Sequence, residues 1–241
     1  MAAQPDVTEK PRRPLTRDRV LRAAVELADA RGIEAVTMRN LAKELGVEAM
    51  SLYNHVAGKE AVLDGVAEVV VSEVLAAVNE IEPPSSPAEW KQAMRRRILA
   101  ARGVLLRHRW APGVLESRTT APPGVLEHTD SQLRLMREAG FSVDLAHHAT
   151  HALGTRTFGF ARELFVSDGE EAQPEVTALM LRQMASRYPH VAELMRVVSH
   201  DATTTLGSGC DDQFEFEFGL DLILDGLERL RQAERHAAAQ T

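Results

Sequence analysis

The sequence predicts an all-α protein of two domains, and three observations lead to this prediction. Apolar residues recur at helical spacing along most of the 241 residues. No convincing strand is marked by alternating apolar and polar residues between turn signals. The stretch "EPPSSP" (residues 82–87) contains three prolines, which forbid a continuous helix. We therefore expect an N-terminal domain over residues 1–80 and a larger helical domain over residues 81–241.

Three short helices are expected in the N-terminal domain. Thr16 is a suitable N-cap for the first helix, and Gly32 is a natural C′ residue at its end. Thr37 is expected to cap the second helix, and Gly46 to break it. The third helix should extend only from about residue 48 to 54, which leaves it too short to be a core helix.

Longer helices are expected further along the chain. The fourth helix should cover residues 59–78, where valines fall at helical spacing. The segment "FEFEF" (Phe214–Phe218) alternates as a strand would, but it continues into a helical stripe without turn residues, so we expect a helix. In the second domain, helical patterns cover residues 88–107, 123–139, 144–166, 174–187 and 211–235.

Charge is distributed unevenly along the chain. The net charge of −7 argues, by itself, against a nucleic-acid-binding protein. However, residues 1–60 hold ten Lys/Arg and nine Asp/Glu, whereas the remaining chain holds 18 and 26. Six basic residues and a single acid lie between Lys10 and Arg22. A basic region at one end of an acidic body can bind a polyanion locally, while the body keeps the protein soluble.

Composition also bears on the cellular location. The single cysteine, Cys210, cannot form an internal disulfide, as is typical of proteins in the reducing cytoplasm. No apolar run approaches the roughly 18 residues that a membrane helix needs. We therefore expect a cytoplasmic protein without a membrane partner. No motif for a cofactor is found, and none is expected.

The short third helix has polar and aromatic residues in a row, which is unusual for a buried element. Three short helices with a glycine turn between the second and third are typical of a helix-turn-helix, whose third helix enters the DNA major groove. Thr37, at a helix N-terminus, can donate a hydrogen bond to a phosphate. Arg39 and Lys59 can bind phosphates by charge.

A longer signature extends from the glycine turn into the fourth helix. It consists of Gly46, Val47, Leu52, Tyr53, His55, Val56, Lys59 and Leu63. With this signature, the stretch from Val20 to Val66 resembles the N-terminal domain of the TetR family of transcriptional regulators. The resemblance implies a repressor that binds a double-stranded DNA operator. The DNA-contacting positions that it implies are Thr37, Arg39, Ala49, Met50, Ser51, Tyr53, Asn54, His55 and Lys59.

These positions divide into two groups in the resemblance. Tyr53 and Lys59 match phosphate-contacting positions, and the base-facing positions are Ala49, Met50, Ser51 and Asn54. Relative to the tetracycline repressor, Ala49 and Met50 replace a Gln-Pro pair, and Asn54 replaces a tryptophan. Alanine and methionine can touch thymine methyl groups but cannot hydrogen-bond a base edge. The operator should therefore differ.

The second domain is similar to the ligand-binding and dimerisation domain of the same family. The stretch "SQLRLMREAGFS" (Ser131–Ser142) carries this resemblance, which implies a small-molecule inducer. Gln132 matches a drug-contacting glutamine, Glu163 matches an acid near a magnesium-bound drug, and Glu116 replaces a magnesium-binding histidine. We expect Glu116 to favour an inducer with a hydrogen-bond donor or a positive charge. The expected pocket residues are Trp110, Glu116, Gln132, His151, Phe158 and Glu163.

The resemblance also implies a homodimer. The helices at residues 144–166 and 211–235 are the expected dimer seam, because they are long and apolar on one side. The seam residues that we expect are Ala149, Ala152, Phe218, Leu222 and Leu230. Solvated positions are expected for Arg118, for Arg156 and for the basic run at residues 95–97.

Particular residues leave other functions open. His147 and His151 have the i,i+4 spacing of half a metal site, so a metal sensor stays an alternative to a pocket or dimer-seam position. No nucleophile elbow or phosphate-binding loop supports an enzyme. An activator, or a ligand-binding module without DNA function, also stays open.

Overall fold

The computed structural model describes residues 14–159, 185–198 and 212–240. These residues are helical, with no strand among them, which confirms the predicted all-α fold. The first four helices are α1 (Arg17–Arg31), α2 (Met38–Leu45), α3 (Ala49–Leu52) and α4 (Lys59–Asn79). The next four are α5 (Trp90–Arg107), α6 (Ala111–Ser117), α7 (Pro123–Glu138) and α8 (Val143–Gly159). A helix at Pro189–Val198 and the C-terminal helix, Asp212–Ala238, follow.

The chain divides into two compact units. The first unit combines residues 1–81 with residues 100–128, and the second combines residues 82–99 with residues 129–241. α5 and α7 therefore each contribute residues to both units. The expected functional domains stay a prediction.

Capping residues set the ends of the first helices as predicted. The Thr16 hydroxyl accepts a hydrogen bond from the backbone N–H of Arg19 at 3.2 Å. The Thr37 hydroxyl accepts one from the N–H of Asn40, also at 3.2 Å. Gly46 ends α2 in the left-handed conformation, with φ of 66°, which a glycine adopts without steric cost.

The core of the first unit packs α1, α2, α3 and α4 together. Val20, Leu41, Leu52 and Val66 are fully buried in it. α1 and α4 approach closely at Gly65, where an added Cβ would lie 2.4 Å from a methyl carbon of Leu21. The apolar faces of these helices therefore hold the short α3 in place.

A buried histidine links three helices of the first unit. His108 follows α5, and its Nδ1 lies 2.8 Å from a carboxylate oxygen of Asp29 on α1. Its Nε2 lies 3.1 Å from Glu73 on α4. The indole N–H of Trp110 donates to Asp29 at 2.7 Å. Two carboxylates thus fix the ring of a side chain that has almost no solvent contact.

The core of the second unit is formed by α5, α7, α8 and the C-terminal helix. Trp90 packs edge-on against Phe141, with ring centroids 4.7 Å apart. Phe216 is fully buried, whereas Phe214 and Phe218 are exposed. The alternating "FEFEF" segment is therefore helical, as predicted, and it presents phenylalanines on two faces of the same helix.

A carboxylate on the second half of the C-terminal helix accepts several hydrogen bonds. Glu228 accepts from Arg231 at 2.7 Å, from the indole N–H of Trp90 at 2.6 Å and from Gln232 at 2.6 Å. The bond from Arg231 is the largest cause that lowers the pKa of Glu228, to about 2. Arg231 also donates to the carbonyl of Ala139 at 2.8 Å, so the cluster joins α5, α7 and the C-terminal helix.

Several surface predictions are wrong. Arg95 was expected to be solvated, but its guanidinium pairs with Glu217 at 2.6 Å and with Asp221 at 2.7 Å. Arg97 is half-buried, and Arg156 donates to a backbone carbonyl and lies over the ring of Phe216. The partners of Arg95 and Arg156 lie about 60 or more residues away, so local patterns did not indicate them.

Two helices and one seam position also differ from the predictions. α6 and the helix at Pro189–Val198 were not predicted, although each has proline at its start, where the missing N–H has no helical partner. Ala149 was expected at the dimer seam, but it is fully buried in the core of its own chain. The predicted helix at 174–187 lies largely outside the described residues, as do Glu163 and Cys210.

The Glu228 cluster leads to a pH-dependent prediction. Because the folded state lowers the pKa of Glu228, its stabilisation is present above about pH 4.5 and is lost as the pH falls towards 2. We expect Glu228→Gln to lower the free energy of unfolding by about 1–2 kcal/mol at pH 7 and by less at pH 3. Urea unfolding at both pH values measures this difference.

Glu138→Gln is the matched control, because Glu138 is exposed on α7 and forms no ion pair with any described residue. It should change stability little at either pH. An equal loss for Glu228→Gln at both pH values would contradict the proposed charge dependence.

Candidate nucleic-acid interface

The turn between α2 and α3 brings α3 to the surface of the first unit. Gly46 bonds back to Ala42 and Lys43, and α3 begins at Ala49. α3 contains only four residues, so the predicted span of 48–54 is too long. The N–H groups of His55 and Val56 both donate to the carbonyl of Leu52, at 2.9 and 3.0 Å, and the chain turns there. Asn54 and His55 therefore lie in the turn after α3.

α3 has one buried side and one exposed side. Leu52 is fully buried, and Ala49 is half-buried against the same core. On the other side, Met50 is 75% exposed and Tyr53 is 49% exposed. Asn54 is exposed as well. The apolar side anchors the helix, and the opposite side is available to a partner.

The remaining predicted base-facing and backbone-facing residues are less accessible. Ser51 and His55 are half-buried, and neither has a side-chain hydrogen bond within the described residues. The Thr37 hydroxyl accepts the capping bond from Asn40, so its own proton is free to donate. Thr37 is therefore able to cap α2 and to bind an anion with the same oxygen.

Two basic residues near α3 have no carboxylate partner in the part of the chain that the structure describes. Arg39 is exposed on the first turn of α2, and Lys59 is exposed as the first residue of α4. By contrast, Arg17 pairs with Glu68 at 3.1 Å. Because no internal carboxylate neutralises these two cations, their charge is available to neutralise a phosphate.

An ion pair that the sequence did not indicate supports this region. The Arg118 side chain is only 11% exposed, and it pairs with Glu60 at 2.9 Å and with Asp64 at 3.2 Å. The hydrogen bond to Glu60, above all, raises the pKa of Arg118. The expectation of a solvated Arg118 is therefore wrong. Arg118 compensates the negative charges of these two acids, which lie on the first turns of α4 directly after Lys59. Without this compensation, the two acids would repel an anionic partner.

The predicted ligand-contacting residues are divided between the two units. In the first unit, Trp110 is half-buried and bonded to Asp29, and Glu116 is exposed on α6. In the second unit, Gln132 is half-buried on α7. His151 and Phe158 are exposed on α8 in the same unit.

The histidines of α8 do not form a complete metal site with other described residues. The rings of His147 and His151 lie 4.6 Å apart between centroids, and both residues are exposed. Within the described residues, no group of three or more histidine, cysteine or acidic side chains is placed to hold a metal ion. Among the same residues, none of the helices is both long and apolar enough to cross a bilayer.

The C-terminal helix carries a second apolar stripe on the side opposite its core face. Phe214, Phe218, Leu222 and Leu230 are each more than half exposed. The rings of Phe214 and Phe218 are stacked, with centroids 6.4 Å apart. Ala152 on α8 is also exposed. Large exposed apolar residues in one stripe are typical of a protein-protein interface.

Comparison with known families gives two matches that together cover most of the chain. Residues 20–66 match the family described as bacterial regulatory proteins, tetR family. Residues 83–231 match the tetracyclin repressor-like, C-terminal domain.

Individual relatives show the same similarity. The chain is 32% identical over 244 residues to the HTH-type transcriptional repressor DrrR1 of Streptomyces coeruleorubidus. The aligned region covers 95% of this chain and 83% of that protein. The chain is 30% identical to the class C tetracycline repressor protein of Escherichia coli, covering 90% and 92%. Among solved structures, apo ActR of Streptomyces coelicolor is similar with a TM-score of 0.68 and 26% identity, covering 92% and 99%. ActR has also been solved in complex with (S)-DNPA and with actinorhodin.

The anchoring of α3 can be tested by truncating its buried side chain. Leu52→Ala should lower the free energy of unfolding by about 2–5 kcal/mol, because it leaves a cavity in a fully packed core. Met50→Ala, on the exposed side of the same helix, should change stability by about 0.5 kcal/mol or less. Guanidinium unfolding of both variants measures the contrast, and equal losses would show that α3 is not held by Leu52.

Proposed function

The chain belongs to the tetR family of bacterial regulatory proteins, and from this premise we propose that it is a repressor that a small molecule releases from a palindromic operator. The observation that carries the proposal is the exposed face of α3, with Met50, Tyr53 and Asn54, together with the unpaired cations Arg39 on α2 and Lys59 on α4, the helices that precede and follow it. A cytoplasmic location accompanies this function.

The DNA-contacting residues have distinct proposed roles. The side chain of Met50 is 75% exposed and is suited to thymine methyl groups, and the Asn54 amide can bond an adenine edge. Ala49 and Ser51 lie closer to the core and contact bases only where α3 enters the groove deeply. Thr37, Arg39, Tyr53, His55 and Lys59 bind the phosphate backbone and set the orientation of α3.

A dimer is required for useful specificity. One α3 covers only a few base pairs, so two copies related by a two-fold axis must read two half-sites. The exposed stripe of the C-terminal helix, with Phe218, Leu222 and Leu230, is the proposed seam, together with Ala152 on α8. Burial of this stripe against its copy would remove a large apolar surface from water.

The second domain, residues 81–241, is the proposed ligand-binding domain. Support comes from its match to the tetracyclin repressor-like domain and from ActR, which binds small molecules. The proposed contacts among the described residues of the second unit are Gln132, His151 and Phe158. A ligand releases the operator only if it binds the DNA-incompetent state more tightly than the competent one.

The phosphate contact of Lys59 gives the first functional prediction. Lys59→Ala should weaken binding to every DNA sequence and reduce the slope of log K against log salt by about one, since one counterion fewer is released. Asn54→Ala should instead change which bases are preferred. Fluorescence anisotropy with operator and random duplexes, at several salt concentrations, measures both effects.

Arg96→Ala is the control for Lys59, because it removes one exposed positive charge from α5, outside the helix-turn-helix. It should leave the salt slope nearly unchanged. If Lys59→Ala retained the wild-type slope, the proposed docking of α3 would be wrong.

The seam gives the second functional prediction. Leu222→Glu should convert the dimer into a monomer and abolish tight operator binding in parallel, because each copy would bury an unpaired carboxylate in the apolar seam. Leu126→Glu, at an exposed leucine of α7, is the matched control and should stay dimeric. Sedimentation velocity and DNA titration test this. A monomeric variant that still bound the full palindrome tightly would contradict the proposal.

A further inference from the structure

Two of the four cations of α5 in the second unit have an acidic partner on the C-terminal helix. Lys91 bonds to Asp225, and Arg95 bonds to both Asp221 and Glu217. Arg97, two residues further along α5, is half-buried but forms no ion pair with any carboxylate in the described ranges. A guanidinium that has lost part of its hydration without gaining an anion is unfavourable, so its position calls for another source of negative charge.

The hydrogen bonds of Arg97 are also incomplete. One Nη2–H donates to the hydroxyl of Ser131 on α7. The Nε–H is buried and has no hydrogen-bond acceptor among the described residues. Ser131 is neutral, so the bond leaves the positive charge uncompensated. A guanidinium presents its donors in a planar fork that matches the two oxygens of an acidic group.

A second arginine lies beside the first. Arg134 is one turn from Ser131 on α7, is exposed, and has no carboxylate partner within the described residues. Burial, and then the positive charge of Arg134, lowers the pKa of Arg97. Two like charges that are not separated by an acid make the local potential positive. Gln132, a predicted ligand contact, lies between Ser131 and Arg134 in sequence.

We propose that Arg97, Ser131 and Arg134 bind an acidic group, a carboxylate or sulfonate, on an otherwise apolar small molecule. The apolar part follows from the adjoining core of the second unit, against which Leu99 of α5 and Leu133 of α7 pack while staying only partly buried. This inference rests on the proposed function of residues 81–241 as a ligand-binding domain. It identifies the chemical class of ligand, and it is proposed in place of the expectation, based on Glu116, of an inducer with a hydrogen-bond donor or a positive charge.

The position of Glu116 agrees with this replacement. Glu116 lies on α6 in the first unit and is exposed, so water already solvates its carboxylate. An exposed charge gives a ligand little binding energy, because screening weakens the pair. Arg97 is partly desolvated, and an anion that reaches it gains more from the same contact.

A matched pair of fluorescent probes tests the charge preference directly. 8-Anilinonaphthalene-1-sulfonate and N-phenyl-1-naphthylamine share the same rings, and only the first carries a sulfonate. We expect wild type to bind the sulfonate more tightly. Arg97→Gln should weaken its affinity by about 10- to 100-fold, as expected for lost hydrogen bonds to a charged group. The affinity of the neutral probe should change by less than about twofold.

Two further variants separate an anion site from a structural role. Arg97→Lys keeps the charge but not the fork, so it should retain part of the preference for the sulfonate. Arg96→Gln, at the exposed neighbouring arginine, should alter neither probe. Equal loss of both probes in Arg97→Gln, or sulfonate binding that does not depend on Arg97, would overturn the proposal.

Thermal unfolding provides a readout that is independent of ligands. Because Arg97 has no described ion pair to lose, Arg97→Gln should lower Tm by no more than about 3 °C. A much larger fall in Tm, with unchanged probe affinities, would mean that Arg97 has its counterion within the chain and would overturn the site.

Operator release distinguishes this inference from the proposed function. Probe binding is measured without DNA, so it tests the anion site at Arg97 even if no compound releases the operator. If the sulfonate binds at Arg97 but leaves the operator complex intact at saturation, the site is supported and the proposed ligand response is contradicted for this probe. Release by the neutral probe alone would support the ligand response and overturn the acidic class.

Discussion

A helix of four residues has no stability of its own in water, and the surface that is suited to contact DNA is built on one. α3 is held because Leu52 is fully buried in a core to which α1, α2 and α4 all contribute, with Val56 packed next to it. The left-handed turn at Gly46 sets the direction in which α3 leaves α2. The orientation of Met50 therefore depends on the apolar contacts of Leu52 on the opposite side of the helix.

The charges of the molecule fall into two classes with different consequences. Paired charges, such as Arg95 with Asp221 and Arg118 with Glu60, join helices that are distant in sequence. Unpaired charges, such as Lys59 and Arg97, contribute no ion pair to the fold within the described residues. A net charge of −7 is compatible with DNA binding because what matters is which cations remain unpaired near α3. Arg118 contributes to this indirectly by compensating the acids on the first turns of α4.

The elements that could be predicted from the sequence are those determined by local chemistry. Thr16 and Thr37 cap helices, and Gly46 ends one, because each does so through bonds to residues at most four positions away. Burial of Ala149 could not be predicted, since two faces of α8 are rich in small residues and only tertiary packing selects between them. The partners of Arg118 are 54 and 58 residues distant, so no periodicity reveals them. The proposed DNA-contacting positions follow a short motif and can be predicted from it, whereas the proposed ligand contacts come from more than one helix.

The partial burial of Arg97 bears on whether an acidic ligand would release the operator or strengthen its binding. A ligand shifts an equilibrium only by the difference between its affinities for the two states. An anion gains most in the state where Arg97 is desolvated, since water competes with it there least. A conformation that hydrates Arg97 therefore binds an acidic ligand more weakly than one that buries it. Release of DNA by such a ligand requires that the conformation with the buried Arg97 be the one that fits the operator poorly. To move the population from 1:99 to 99:1, the difference in affinity must reach about 10⁴-fold. One charge contact supplies a part of this, so the apolar body of the ligand must discriminate between the two conformations as well.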